Sequence, residues 1–174
     1  MEIGLISDTH LPSYAILNRS GEFLKLWERI KHVFSGVNHI IHAGDVVCEE
    51  LIAFLETLSP VSVVCGNMDL EEGITKWPKI LALELGGKKL GISHKLQDLY
   101  SINVDDVDVI ISGHTHIPSI QEDPNGKLLI NPGSACLPRP IPKKMLFEGD
   151  ITPRPTLGIL SIENDLISAF IKRI

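Results

Sequence analysis

Short apolar runs that stop on glycine or on a side chain able to hold a metal recur along this chain at helix-length intervals. Glu2 to Ser7 leads into Asp8-Thr9-His10, His39 to His42 into Ala43-Gly44-Asp45, and Val61 to Cys65 into Gly66-Asn67-Met68-Asp69. The stretches between them have helical spacing: Phe23, Leu24, Trp27, Ile30 and Phe34 within Gly21 to Phe34, then Leu51, Ile52, Leu55 and Leu58 within Glu49 to Leu58. Such a βαβαβ order calls for a mostly parallel sheet with helices packed on it.

Further along, the pattern changes. Ile80 to Leu85, Gly86-Gly87 and Lys88 to Ser93 form a hairpin signal, and Val107 to Ser112 reads as a buried strand. Pro118 to Glu122 turns through Asp123-Pro124-Asn125-Gly126 into Lys127 to Ile130, and Leu157 to Ile162 turns into Leu166 to Ile171. The expectation is an α/β (α+β) chain of two sheets packed face to face with helices outside, forming a single domain over residues 1–174. Pro138 to Pro155 holds five of the eleven prolines and is expected to be an extended surface connection.

Composition narrows the function. With 16 basic and 22 acidic side chains the formal charge is −6, so the basic excess needed to grip long nucleic acid is missing. No apolar run approaches the roughly 20 residues of a membrane span, and MEIGLISDTH lacks the basic-then-apolar form of a secretion signal. Cys48, Cys65 and Cys136 are odd in number, far apart and without a Cys-x-x-Cys pair, which suits reduced thiols in a cytoplasm.

The candidate chemistry lies at strand ends. Besides the three already named, Ser93 leads into His94, and Gly113 into His114-Thr115-His116. The carboxyl edge of an open α/β sheet is where ligands bind. In extended backbone, residues two apart point the same way, so Asp8 with His10 and His114 with His116 are expected to present paired donors from strand ends. Singly, each motif reads as an ordinary turn rather than a ligand, and His32 and His39 read as surface or core residues. Five at one sheet edge read as a metal site.

Asp-x-His, Gly-Asp, Gly-Asn, His and Gly-His-x-His, in that order, resemble the calcineurin-like metallophosphoesterases. The short length, Asn131-Pro132-Gly133-Ser134 and the closing hairpin are most similar to the small YfcE-type phosphodiesterases. The resemblance implies a β-sandwich of two sheets flanked by helices, in four αββα layers. It assigns Asp8, His10 and His116 to one metal, Asn67, His94 and His114 to the other, and Asp45 to a bridge, with Asp45, Asn67 and His94 catalytic. The implied cofactors are two divalent transition-metal ions, Mn foremost, with Ni, Co, Fe or Zn also suited to imidazole, carboxylate and amide oxygen. The implied reaction is attack of a metal-bound hydroxide on a phosphoester, with no serine or cysteine nucleophile.

Two features bear on the substrate. Two divalent ions, two carboxylates and a hydroxide sum to about one net positive charge, which a diester monoanion neutralises and a monoester dianion exceeds. Where monoesterases of the family often carry a His after Gly-Asn, this chain has Met68, a thioether with no proton to give; Asp69 or water is the alternative acid. A small phosphodiester is therefore the expected substrate, with a phosphomonoester as the alternative. Lys95 stands where the family has glycine and puts His94 in question, and Arg139 is read as a solvated loop residue. His42 is either a strand-end residue or an orienter of a ligand. A non-catalytic binding scaffold of the same fold, like the retromer subunit, is the competing class, and a homo-oligomer is compatible with the chain.

Overall fold

The computed structural model describes residues 1–99, 106–140 and 153–174. Most of the expected proline-rich connection, residues 141–152, lies outside the described residues, as does 100–105.

Three strands, β1 (Glu2–Ile6), β2 (His39–His42) and β3 (Val61–Val63), run parallel, with Ile3 opposite His39 and Ile40 opposite Val61. The antiparallel pair β9 (Thr156–Glu163) and β10 (Leu166–Arg173) extends this sheet beyond β1, giving the order β10-β9-β1-β2-β3. The second sheet has the order β4-β5-β6-β8-β7, from β4 (Ile80–Leu85), β5 (Lys88–Ser93), β6 (Val109–Ile111), β7 (Ser119–Glu122) and β8 (Leu128–Asn131). There β5, β6 and β8 are parallel, and β4 and β7 close the edges as antiparallel hairpin arms. The two mixed sheets of five strands, flanked by helices, form the sandwich expected from the sequence.

Strand β1 shows why its run is apolar on both sides. Ile3 and Leu5 face the second sheet, in one core with Ile41, Leu90, Ile92, Val109, Ile111 and Leu160. Ile6 faces the helices, in a second core with Phe23, Ile30, Leu51 and Leu55. A strand buried on both faces cannot alternate with polar residues.

The long helix α2 (Gly21–Val33) is capped by Ser20, whose Oγ accepts the Phe23 N–H at 3.2 Å. Its buried face is Phe23, Leu26, Trp27 and Ile30, the i, i+3, i+4, i+7 set. Leu24, expected among the buried positions, is 43% exposed; Leu26 takes that place. The second expected helix is α3 (Glu50–Glu56). The helices α1 (Ser13–Leu17), α4 (Asn67–Glu71) and α5 (Leu96–Leu99) were not anticipated. At four or five residues each, they are too short for a 3.6-residue period to show.

Candidate metal centre

The segments that follow β1, β2, β3, β5 and β6 meet at one edge of the sandwich and carry all seven candidate donors, six on loops and Asn67 at the start of α4. The loop after β1 lies on the loop after β2: Asp8 N–H donates to Gly44 O at 3.0 Å, and Thr9 and His10 N–H both donate to Asp45 O. Gly113 N–H reaches His94 O at 3.0 Å, joining the loops of the second sheet.

The backbone there is not extended. Asp8, His10, Asp45, His114 and His116 have φ of 51°, 45°, 55°, 69° and 60°, all left-handed. The i, i+2 reasoning for the paired donors therefore gives the wrong cause. These residues converge because the chain leaves each strand in a left-handed turn, a conformation that Asp and His tolerate better than most side chains.

Two glycines make the crowding possible. A Cβ on Gly66 would lie 2.1 Å from Asp45 Oδ1, and one on Gly44, at φ +87°, would meet the His94 ring at 2.7 Å.

The donor atoms converge. His10 Nε2 faces His116 Nε2 at 3.3 Å, and His116 Nε2 lies 3.3 Å from Asp8 Oδ1. Asp45 Oδ2 lies 3.5 Å from His10 Nε2 and 3.2 Å from His94 Nε2, so one oxygen faces both histidines. Its other oxygen, Oδ1, accepts the Met68 N–H at 2.8 Å. Two sets, Asp8 with His10 and His116, and Asp8 with Asp45 and His94, have ligand-capable atoms within 4.8 Å of one another. The second set takes Asp8 where the expected assignment has Asn67 and His114. Asn67 Oδ1 is nevertheless buried without a partner, and the His114 ring packs edge-on against His94 with centroids 5.2 Å apart.

Imidazole orientation is fixed from behind. His94 Nδ1 donates to Ala43 O at 2.8 Å and His116 Nδ1 to Leu137 O at 2.6 Å, which leaves each Nε2 lone pair aimed at the centre. His94 Nε2 is close to Asp45 but not aligned for a hydrogen bond, and with Asn67 Oδ1 it is a buried atom lacking any partner. Buried polar atoms without partners are rare and call for an occupant. Nitrogen and oxygen donors with no thiolate suit a divalent transition metal; Cys65 is turned away, its Sγ on the carbonyls of Gly66 and Ile74. Lys95 does not displace His94, which is 2% exposed.

Charge follows the geometry. Burial disfavours a charged His94, but the Asp45 carboxylate, Asp8 and the Ala43 carbonyl outweigh it and raise its pKa. Burial also works to raise Asp45, but His94 and the Met68 N–H outweigh it and hold the carboxyl below its usual range. Burial, with His94 and Lys95 nearby, lowers His114. Under the centre, fully buried His42 is pushed down to about 3, burial being the main cause; its Nε2 meets Thr9 Oγ1 at 3.2 Å.

Three supporting residues carry more than the sequence indicated. Asp69, fully buried, accepts N–H bonds from Asp45 (2.9 Å), Val47 (2.7 Å) and Gly66 (2.8 Å), clamping the loops after β2 and β3 together. It sits two residues after Asn67 in α4, and as the third helical residue it accepts the Gly66 N–H at the helix start, a one-sided cap and the one local signal that could have revealed it. Ser134 Oγ donates to Asp8 O at 2.7 Å, and Asn131 Nδ2 to Gly113 O at 2.7 Å. The Asn131 to Ser134 stretch is thus a brace for the ligand loops.

Comparison with known proteins identifies the family. The sequence profile of the calcineurin-like phosphoesterase superfamily domain matches residues 1–151. A "probable metallophosphoesterase" of Methanothermobacter thermautotrophicus is 38% identical over 147 residues, covering 80% of each chain. Among solved structures, a novel archaeal phosphodiesterase is 25% identical with a TM-score of 0.67, covering 99% of this chain and 100% of its own. Vps29 of Entamoeba histolytica in complex with zinc, 23% identical with a TM-score of 0.66, covers 100% and 98% and shares the fold. The family fold binds divalent metals, and this chain brings together candidate metal-binding residues. The chain belongs to the calcineurin-like phosphoesterase superfamily.

Proposed function

We propose that this protein is a dinuclear metal-dependent phosphodiesterase acting on small diesters. The observation that carries the reading is Asp45: one carboxylate oxygen lies within 3.5 Å of both His10 Nε2 and His94 Nε2, and His94 Nε2 and Asn67 Oδ1 are buried without a partner. Asp8, His10 and His116 would hold one ion, Asn67, His94 and His114 the other, with Asp45 between them. Bound there, two divalent ions supply Lewis acidity and a nucleophilic water at neutral pH.

The chain's own residues set the rest. The Ala43 and Leu137 carbonyls keep His94 and His116 in the tautomer with Nε2 free for binding. Asp45 is held by the Met68 N–H on the oxygen that faces away from His94. Met68 offers this N–H and no side-chain proton, and Asp69, the alternative acid, is buried under three N–H donors. Neither Met68 nor Asp69 is therefore placed to protonate the leaving group, which favours diesters with good leaving groups over monoesters. Mn is the first candidate metal, with Ni, Co, Fe and Zn compatible with the donors.

A scaffold of the same fold is the competing reading; all seven donor positions carry competent ligands, which favours the enzyme. The test is to strip the protein with chelator, restore Mn, Ni, Zn or Mg singly, and assay bis(p-nitrophenyl) phosphate against p-nitrophenyl phosphate. Metal-dependent turnover that is faster on the diester, and loss of at least about 10³-fold in Asp45→Ala, are expected. Faster monoester turnover would overturn the diester preference, and inactivity with every metal would favour the scaffold.

A further inference from the structure

Two clefts open onto the centre, and they differ in charge. One, of about 230 Å3, lies along His114 and is lined by neutral groups such as Gln97, Thr115, Ser119 and Gln121. The other, of about 170 Å3, lies along Asn67 and His94 and includes Lys79 and Lys95, with Asp98 the one carboxylate among its described lining residues.

The lysines are not paired off. Neither has an ion-pair partner among the described residues, whereas Asp98 is engaged by another group. Their backbones are pinned. Lys95 O accepts the Ser93 hydroxyl at 2.7 Å and the Asp98 N–H at 3.0 Å, and Pro78 O accepts the Cys65 N–H at 2.8 Å, setting Lys79 beside the Gly66-Asn67 turn. The space holds several waters at about 30 Å3 each, or one phosphate group. Ammonium groups bind phosphate as point charges without demanding a planar match.

We propose that Lys79 and Lys95 form a subsite for a second phosphate, so that the preferred substrate is a phosphodiester with one phosphorylated arm. This rests on the diesterase reading. Lys95 stands where the family resemblance leads one to expect glycine, so the subsite would be a specificity feature of this chain. The other arm lies in the neutral cleft and is recognised by hydrogen bonds from amides and hydroxyls.

The test compares thymidine 5′-(4-nitrophenyl phosphate) with the same ester carrying a 3′-phosphate, using metal-loaded wild type, Lys95→Gly and Lys79→Gln. A parallel titration calorimetry series measures thymidine 3′,5′-bisphosphate against thymidine 5′-monophosphate. Wild type should prefer the phosphorylated ester about tenfold in kcat/KM, mainly through KM, and bind the bisphosphate about tenfold tighter. Each variant should lose most of both preferences and keep its rate on bis(p-nitrophenyl) phosphate. Equal handling of the two esters by an active wild type, or a preference that survives both substitutions, overturns the subsite and leaves the diesterase standing. Lysine-dependent bisphosphate binding in a protein inactive on every diester supports the subsite and defeats the diesterase.

Discussion

The two halves of the proposed centre are built differently. On the side of Asp8, His10 and His116, the chain finishes its own bonding. Asp8 Oδ2 accepts the Ser7 hydroxyl at 2.7 Å, the His114 N–H sits 3.1–3.2 Å from both Asp8 oxygens, and Ser134 holds the Asp8 carbonyl. On the side of Asn67, His94 and His114, two buried donor atoms have nothing to bond, and His114 is only half-buried. An unsatisfied buried polar atom costs about 1–3 kcal/mol. The first half is thus preassembled by hydrogen bonds, whereas the second, in the proposed centre, would be completed by a bound ion.

The largest expected effect follows from that difference. Asn67→Ala removes one donor from the open half and leaves Asp45, His94 and His114, so more metal should compensate: the metal needed for half-maximal activity rises about 100-fold, while saturating activity recovers. His116→Ala removes a donor from the preassembled half and strands the Leu137 carbonyl, so activity should stay down about 10²-fold or more at any metal concentration. Activity measured against metal concentration separates the two. Equal rescue of both would erase the distinction.

Next in size is Asp69, which holds the open half's backbone where its side chains are not held. Asp69→Ala would leave the N–H groups of Asp45, Val47 and Gly66 without their acceptor, around a Val47 already at φ 67°. Urea unfolding of the chelated protein should show a loss of roughly 3 kcal/mol or more. A loss under about 1 kcal/mol would mean that the loops hold themselves.

Why Asp69 was hard to read, while Asp8 or His114 was not, lies in the range of the forces involved. The donors come from pattern: apolar runs end, and ligating side chains follow. Strand period, hairpin turns and the α2 stripe are likewise local, so the sheets and their order of elements could be read from the chain. The clamp of Asp69 reaches 24 residues back to Asp45, and Ser134 reaches 126 residues back to Asp8. Neither partner is encoded near the residue that needs it. The left-handed turns were missed for the opposite reason: periodicity assumes regular backbone, and the site exists where the backbone stops being regular.

The smallest expected effect concerns His42, an exception to the contrast, because it puts an unpaired atom under the preassembled half. It is fully buried beneath Thr9, Nδ1 has no partner, and its pKa is pushed down from 6.5 to about 3. Between those two values the unfolded chain binds a proton that the folded chain refuses. The stability due to neutral His42 is therefore whole above pH 6.5 and drains as pH falls toward 3, at up to about 1.4 kcal/mol per unit. His94, whose pKa is raised, contributes in the opposite sense, its stability being lost as pH rises, so the cleaner window lies below pH ~6, where it is protonated in both states. In chelated protein unfolded by urea between about pH 6 and 4, His42→Gln should flatten the stability slope by close to one proton. An unchanged slope would show that water or a shifted Thr9 already satisfies the ring, and the preassembled half would then have no exception.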